Sequence, residues 1–167
     1  MKHTMRTALA LLLVLVCVFA VSCGADEGKT DDGTPATMED VYNAVTGTLA
    51  DSDKLVDIQD SYLKNFIKAD TENYASYKVV VQSISSSIDE IGIFEAKDAA
   101  DVKAIEDMVD TYLDFYRNEI WDNRYNQDEF PKLRDAERVT AGNFVMYVIL
   151  GDAERAAAVA AFENAAK

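Results

Sequence analysis

The sequence predicts an α+β domain with a small antiparallel sheet of about four strands and helices packed mainly on one face. Two patterns predict this class. Several segments carry apolar residues at helical spacing. Between them lie short alternating or fully apolar runs that are rich in β-branched and aromatic residues, and turn residues separate the runs within each pair. Two hairpin-like pairs therefore indicate an antiparallel sheet, and the helical segments cover it.

Four helical segments are predicted from the spacing of their apolar residues. Thr37, with Asp40 three residues later, is a candidate cap for the first, and Asp98 with Asp101 for the third. In chain order, the apolar positions of the four segments are Met38, Val41, Tyr42, Val45 and Leu49; Leu55, Ile58, Tyr62 and Phe66; Val102, Ile105, Val109, Tyr112, Tyr116 and Ile120; and Ala156, Val159 and Phe162.

Strands are predicted at residues 77–82, 90–95, 137–140 and 144–150. The last of these is entirely apolar, which indicates a central strand covered on both faces. Ala141, Gly142 and Asn143 precede it and suit a tight turn with positive φ, so the last two strands are expected to form a hairpin.

Residues 1–22 have the features of an export signal. Lys2 and Arg6 give a basic start, and an uninterrupted apolar stretch runs from Ala8 to Val21. As a helix this stretch would rise only about 21 Å, which is short of the roughly 30 Å hydrocarbon core that a membrane span must cross. A signal peptide is therefore favoured over a transmembrane anchor.

The residues around Cys23 resemble a lipobox, the site at which bacteria attach diacylglycerol to a cysteine before cleavage. Val21, Ser22 and Gly24 fit that pattern, although Ala20 stands where leucine is commonest. The sequence therefore predicts a lipid on Cys23, with plain secretion as the alternative. Two or three acyl chains would hold the protein at the membrane, facing outside the cytoplasm.

Residues 23–36 are predicted to be an acidic flexible tether, because they contain Gly, Asp, Thr and Pro but no large apolar residue. Residues 37–167 are predicted to be a single domain, since a chain of this length has room for only one.

Composition excludes several kinds of function. The net charge is −14, which argues against nucleic acid as a partner. The single histidine is His3, and Cys17 lies within the predicted signal peptide. The exported domain would therefore lack the residues for Ser-His-Asp or Cys-His catalysis and the usual zinc ligands. No catalytic residue, cofactor or metal site is predicted, and the protein is expected not to be an enzyme.

Paired carboxylates are the remaining formal candidates for catalysis, as in glycoside cleavage. They are Asp89 with Glu90, and the series Glu106, Asp110 and Asp114. Adjacent residues on a strand point to opposite faces, and acids four residues apart on a helix usually form a solvated face, so neither group is expected to act.

A polar and aromatic loop supplies the candidate ligand residues Trp121, Arg124 and Tyr125. Aromatic rings beside charged and amide side chains suit stacking on a sugar or contact with a peptide. The alternative is that Trp121 and Tyr125 simply pack against the domain.

Several segments together resemble a family of Gram-positive bacterial lipoproteins with a domain of unknown function. They are residues 87–94, the long helix, Trp121 with Tyr125 and Pro131, and residues 142–145, and the resemblance spans about residues 38–165. It implies no activity, cofactor or functional residue.

These features predict a membrane-anchored extracytoplasmic lipoprotein that acts as a non-enzymatic binding or interaction module of the cell envelope. The expected partners are the membrane, through the lipid on Cys23, and a glycan, a peptide or an envelope protein. The alternative is a structural envelope component without a dedicated ligand site.

Overall fold

The computed structural model describes residues 35–69, 72–84, 86–120 and 127–167. The predicted signal peptide and nearly all of the predicted tether, including Cys23, lie outside these ranges. The helices are α1 (Met38–Thr46), α2 (Asp60–Tyr62), α3 (Val102–Phe115), α4 (Phe130–Arg134) and α5 (Asp152–Ala165). The strands are β1 (Leu55–Asp57), β2 (Tyr74–Gln82), β3 (Glu90–Ala96), β4 (Glu137–Ala141) and β5 (Phe144–Ile149).

Two of the helices continue into π-helical turns. α2 runs on into Leu63–Ile67, and α3 runs on into Tyr116–Ile120. Ser52–Lys54 forms a short 3₁₀ turn before β1. No helix in the described ranges combines the length and apolar character that a membrane span requires.

The start of α1 follows the predicted capping box. The Thr37 hydroxyl accepts a hydrogen bond from the Asp40 amide at 3.2 Å, and the Asp40 carboxylate accepts one from the Thr37 amide. Two amides that would otherwise be unpaired at the helix start are thereby satisfied. The predicted first helix is confirmed.

The strands form one antiparallel sheet in the order β1-β2-β3-β5-β4. β4 and β5 are joined by the predicted turn, in which Gly142 adopts φ of 55°. This left-handed conformation is easily reached only without a side chain, so glycine fixes the hairpin. The α+β class is confirmed, and the sheet has five strands rather than about four.

Helices cover both faces of the sheet, where the sequence predicted mainly one. One face packs against α2, α3, α4 and the first π-helical turn through Leu63, Ile67, Ile105, Val109, Tyr112, Leu113 and Leu133. The other face packs against α1 and α5 through Val41, Val45, Ala158 and Phe162. All six residues of β5 are buried because this strand lies between the two helix layers.

The second predicted helix is only partly present. Leu55 begins β1, which pairs with β2, and the helix starts at Asp60. Apolar residues at positions 55 and 58 fit a helix equally well by spacing, but pairing with the edge of β2 satisfies the backbone of β1.

The start of the long helix α3 also differs from the prediction. Asp101, rather than Asp98, occupies the N-cap position. The Asp98 carboxylate instead accepts a hydrogen bond from the Ala100 amide at 2.9 Å, in the turn before the helix. The apolar stripe of α3 is as predicted, with Ile105, Val109 and Tyr112 buried.

Candidate functional site

Glu90, the first residue of β3, carries the most unusual side chain in the described core. It is only 2% exposed. No described Lys or Arg forms an ion pair with it. Removing a carboxylate from water without an opposite charge costs several kcal/mol unless hydrogen bonds or protonation compensate. The surroundings of Glu90 therefore determine whether the carboxyl is charged.

Tyrosine hydroxyls supply those hydrogen bonds. Tyr112 donates to the two carboxyl oxygens of Glu90 at 2.8 and 3.0 Å, and Tyr147 donates to Oε1 at 2.5 Å. The Tyr62 hydroxyl lies 2.9 Å from the Tyr112 hydroxyl. Tyr116 completes the group through its ring contact with Tyr112 at 5.8 Å between centroids. We refer to Glu90, Tyr62, Tyr112, Tyr116 and Tyr147 as the Glu90–tyrosine cluster.

A glycine brings Tyr147 close to Glu90. Gly92 is on the same face of β3 as Glu90, and in the sheet it pairs with Tyr147 of β5. A Cβ on Gly92 would lie 2.1 Å from Cε1 of the Tyr147 ring. The absence of a side chain therefore lets the ring lie across β3, with its hydroxyl at the carboxyl two residues away.

The other tyrosines come from the helices on the same face. Tyr112 belongs to the apolar stripe of α3, and its ring contacts that of Tyr147 at 5.4 Å. Tyr62 is the last residue of α2, and its ring packs on that of Phe66 at 4.8 Å. The cluster thus joins three parts of the fold: the centre of the sheet, α3 and the segment around α2.

Both π-helical turns border this cluster. Leu63–Ile67 begins directly after Tyr62, and Tyr116–Ile120 begins at Tyr116 itself. Lys68, which follows the first turn as its cap, has φ of 59° and so adopts a left-handed conformation that is uncommon outside glycine. π-Helical turns occur often at functional sites, and two of them beside one buried acid mark this region as the candidate site.

Burial changes the acid–base properties of the cluster. It raises the pKa of Glu90 to about 7, although the hydrogen bonds from Tyr147 and Tyr112 oppose this increase. Burial and, secondarily, the nearby charge of Glu90 raise the pKa of Tyr116 to about 12. The same two causes raise the pKa values of Tyr112 and Tyr147. The carboxyl therefore titrates near neutral pH while the phenols stay protonated.

Chemically, the cluster holds one exchangeable proton in an enclosed polar network. Because Glu90 is almost fully covered, a solute cannot contact its carboxyl in this conformation. Tyr62 and Tyr116 are only partly buried and connect the network with the surface.

The sequence pointed to Glu90 only as a partner of Asp89, and the structure separates the two. Asp89 forms an ion pair with Lys132 at 2.7 Å. The role of Glu90 was missed because an acid beside another acid suggests a solvated surface. The available signal was that Glu90 opens a strand whose following residues, Ile91 to Phe94, contain no other polar side chain.

The second series of acids lies in ion pairs on α3. Glu106 and Asp110 both contact Arg138 of β4, at 2.8 and 2.7 Å, and Asp114 contacts Arg117 at 3.3 Å. The two contacts with Arg138 join α3 to the edge strand of the sheet, whereas the Asp114–Arg117 pair is local to the helix. Within the described ranges, no group of three or more His, Cys, Asp or Glu side chains is placed to hold a metal ion.

The predicted ligand residues Trp121, Arg124 and Tyr125 lie outside the described residues, as does the predicted lipid attachment site Cys23. Their roles therefore stay predictions.

The described fold and site define a class: an α+β domain with a five-stranded antiparallel sheet, helices on both faces and a protonatable carboxyl enclosed beside the sheet. Residues 48–150 match the family model of a domain of unknown function, DUF4358, and the chain belongs to this family. The match spans all five strands and the whole Glu90–tyrosine cluster. Comparisons with curated proteins and with solved structures find no match.

Family membership confirms the domain of unknown function that the resemblance implied. The lipobox and the Gram-positive origin stay predictions from the sequence. α1 and α5 lie outside the matched residues, although they cover one face of the matched sheet.

Proposed function

We propose that this chain is a lipoprotein anchored at the cell membrane through a lipid on Cys23, with its α+β domain facing outside the cytoplasm. In that position it acts as a non-enzymatic binding or interaction module of the cell envelope. The proposed location at the membrane is supported by the basic residues at the N-terminus, the apolar stretch from Ala8 to Val21 and the small residues before Cys23.

One observation supports the binding role: a set of partly exposed aromatic rings at the edge of the Glu90–tyrosine cluster. Phe66 is 40% exposed and its ring packs on the partly buried ring of Tyr62. Tyr116, also partly buried, contacts Tyr112 from the start of the second π-helical turn. We call Tyr62, Phe66 and Tyr116 the aromatic surface.

Rings held in place by a polar network suit a ligand with a flat apolar face, such as a sugar ring or a peptide side chain. The hydrogen bond between Tyr62 and Tyr112 holds the Tyr62 ring, and Phe66 packs on that ring. Because these contacts restrict the rings before a ligand arrives, less conformational entropy is lost on binding. Trp121, Arg124 and Tyr125, whose ring and polar side chains also suit such a ligand, are proposed as ligand residues from the sequence alone.

The anchor is tested by comparing the wild-type chain with Cys23→Ser in its bacterial host. The wild-type protein should be recovered with membranes and carry the added mass of the lipid, whereas C23S should lack that mass and lose stable membrane association. Wild-type protein found free of membranes, with residues 1–22 still attached, would contradict the proposed anchor.

The binding role is tested by a thermal shift screen of envelope glycans and peptides against the full-length chain in detergent. A ligand that binds only the folded state at 100 times its Kd stabilises it by about 2.7 kcal/mol. Phe66→Ala should abolish the shift. Phe115→Ala is the control, because Phe115 is also exposed but makes no ring contact with Tyr62. A screen without any shift would instead favour a structural envelope component.

A further inference from the structure

The hydrogen bonds of the Glu90–tyrosine cluster have a definite direction when Glu90 is charged. A carboxylate only accepts, and each tyrosine hydroxyl has a single hydrogen to donate. Tyr112 and Tyr147 donate to Glu90, so the hydrogen between Tyr62 and Tyr112 must come from Tyr62. The chain of donors therefore runs inward, from the partly exposed Tyr62 to the buried carboxylate.

Protonation of Glu90 conflicts with this arrangement. The new carboxyl hydrogen needs an acceptor: Oε1 already accepts from Tyr147, whereas Oε2 has only the Tyr112 hydroxyl as a described hydrogen-bonding neighbour, at 3.0 Å. If Tyr112 accepts from Glu90, its own hydrogen must turn to Tyr62, which then donates outward. One proton thus reverses the donor direction along the path from the sheet to the surface.

The titratable groups that face Glu90 from the described elements packed against it are Tyr147 of β5, Tyr112 of α3, Tyr116 of the second π-helical turn and Tyr62 of α2. Its register partner on β2 is the apolar Val81. The neighbouring Asp89 is paired with Lys132. No described cation therefore holds Glu90 in its charged form.

We propose that the Glu90–tyrosine cluster is a proton switch, in which gain or loss of one proton at Glu90 repositions Tyr62 and with it the aromatic surface. Tyr62 is the link because its hydroxyl joins the cluster and its ring packs on Phe66. It also immediately precedes the first π-helical turn, and turns of this kind are frequent at functional sites. This inference rests on the proposed function, since it makes binding at the aromatic surface dependent on the pH outside the cytoplasm.

The test is a pH titration of the full-length chain in detergent micelles, followed by NMR. The signals are the carboxyl carbon of Glu90 and ring carbons of Tyr62 and Phe66. In the wild-type protein all three should move with one midpoint near pH 7. In Glu90→Gln the ring signals should stay near their acidic wild-type positions, because the neutral amide donates where the protonated acid does.

Glu163→Gln, on the exposed face of α5, is the control and should titrate like the wild-type protein. Ring signals that stay constant while the Glu90 carboxyl carbon titrates would overturn the switch, and so would a carboxyl carbon that does not titrate between pH 5 and 9. If E90Q does not fold, the test depends on the wild-type protein alone, in which the signals of Glu90, Tyr62 and Phe66 should share one midpoint. No ligand is involved, so an unsuccessful ligand screen weakens the proposed function without changing this result.

Discussion

The ring of Tyr147 occupies the space that a side chain at Gly92 would need. A Cβ at that position would lie within 2.1 to 2.8 Å of three ring atoms. The tyrosine ring is held between the sheet and α3, where it also contacts the ring of Tyr112 at 5.4 Å. The ring therefore has little freedom to move aside for an added methyl group.

Gly92→Ala should lower the free energy of unfolding by about 3 kcal/mol, because it overpacks a filled core. It should also displace the Tyr147 hydroxyl from Glu90. Urea denaturation measures the first effect. Gly151→Ala is the matched control, since no atom lies within 4 Å of a Cβ built there, and we expect a loss below about 1 kcal/mol. Equal losses in the two variants would show that the ring gives way easily.

Glu90 should make stability depend on pH in the direction opposite to a salt-bridged acid. Its pKa rises from 4.5 in the unfolded chain to about 7 in the folded domain, so the folded state favours the protonated form. The stabilising contribution is complete below pH 4.5 and is lost as the pH rises through about 7. The total change is about 3 kcal/mol, at 1.36 kcal/mol per pKa unit.

Glu90→Gln removes the contribution of Glu90 to the pH dependence of stability. Comparison with the wild-type protein therefore separates this contribution from that of the other acids. Urea denaturation at several values between pH 4.5 and 8.5 gives the free energy of unfolding of each protein. The wild-type value minus the E90Q value should fall with increasing pH, and E163Q should follow the wild-type protein throughout. A difference that is independent of pH would show that Glu90 keeps the same charge over this range.

Elements with local signals could be predicted from the sequence. The capping box at Thr37 and Asp40 needs only neighbouring residues, and Gly142 supplies the turn that makes the β4–β5 hairpin. The uninterrupted apolar run of β5 indicated a strand covered on both sides. In each case the determining contacts lie within a few residues or follow from burial alone.

Elements that depend on distant partners could not be predicted. β1 is a strand because β2 offers it an edge, which no local pattern around Leu55 reveals. The candidate site requires Tyr62, Glu90 and Tyr147 to meet across three separate elements. The sequence gives each of these residues an ordinary role in a stripe or strand, and only the sheet register brings Tyr147 across Gly92 to Glu90.

The helix layer outside the family match should be essential for the stability of the matched sheet. Phe162 of α5 is fully buried against the face that carries Ile91, Ile93 and Met146. Phe162→Ala should therefore lower the free energy of unfolding by about 3 to 5 kcal/mol. The matched control is Phe66→Ala: the same change at a 40% exposed ring should cost about 1 kcal/mol or less. Comparable losses would mean that α5 adds little to the core.

Lys132 should contribute more to stability than an exposed lysine with an equally close partner. Its ammonium lies 2.7 Å from Asp89 and 2.9 Å from Glu129, and all three side chains are at most 22% exposed. Lys132→Met leaves two largely covered carboxylates without their shared cation, so we expect the free energy of unfolding to fall by about 2 kcal/mol in urea denaturation at pH 7.

Lys103→Met is the control, because Lys103 and its partner Asp107 are more than 60% exposed and water replaces the lost charge. The loss in K132M should shrink in a background that carries Asp89→Asn and Glu129→Gln, since neutral side chains do not need the cation. A loss of unchanged size in that background would instead assign the effect to packing of the lysine stem.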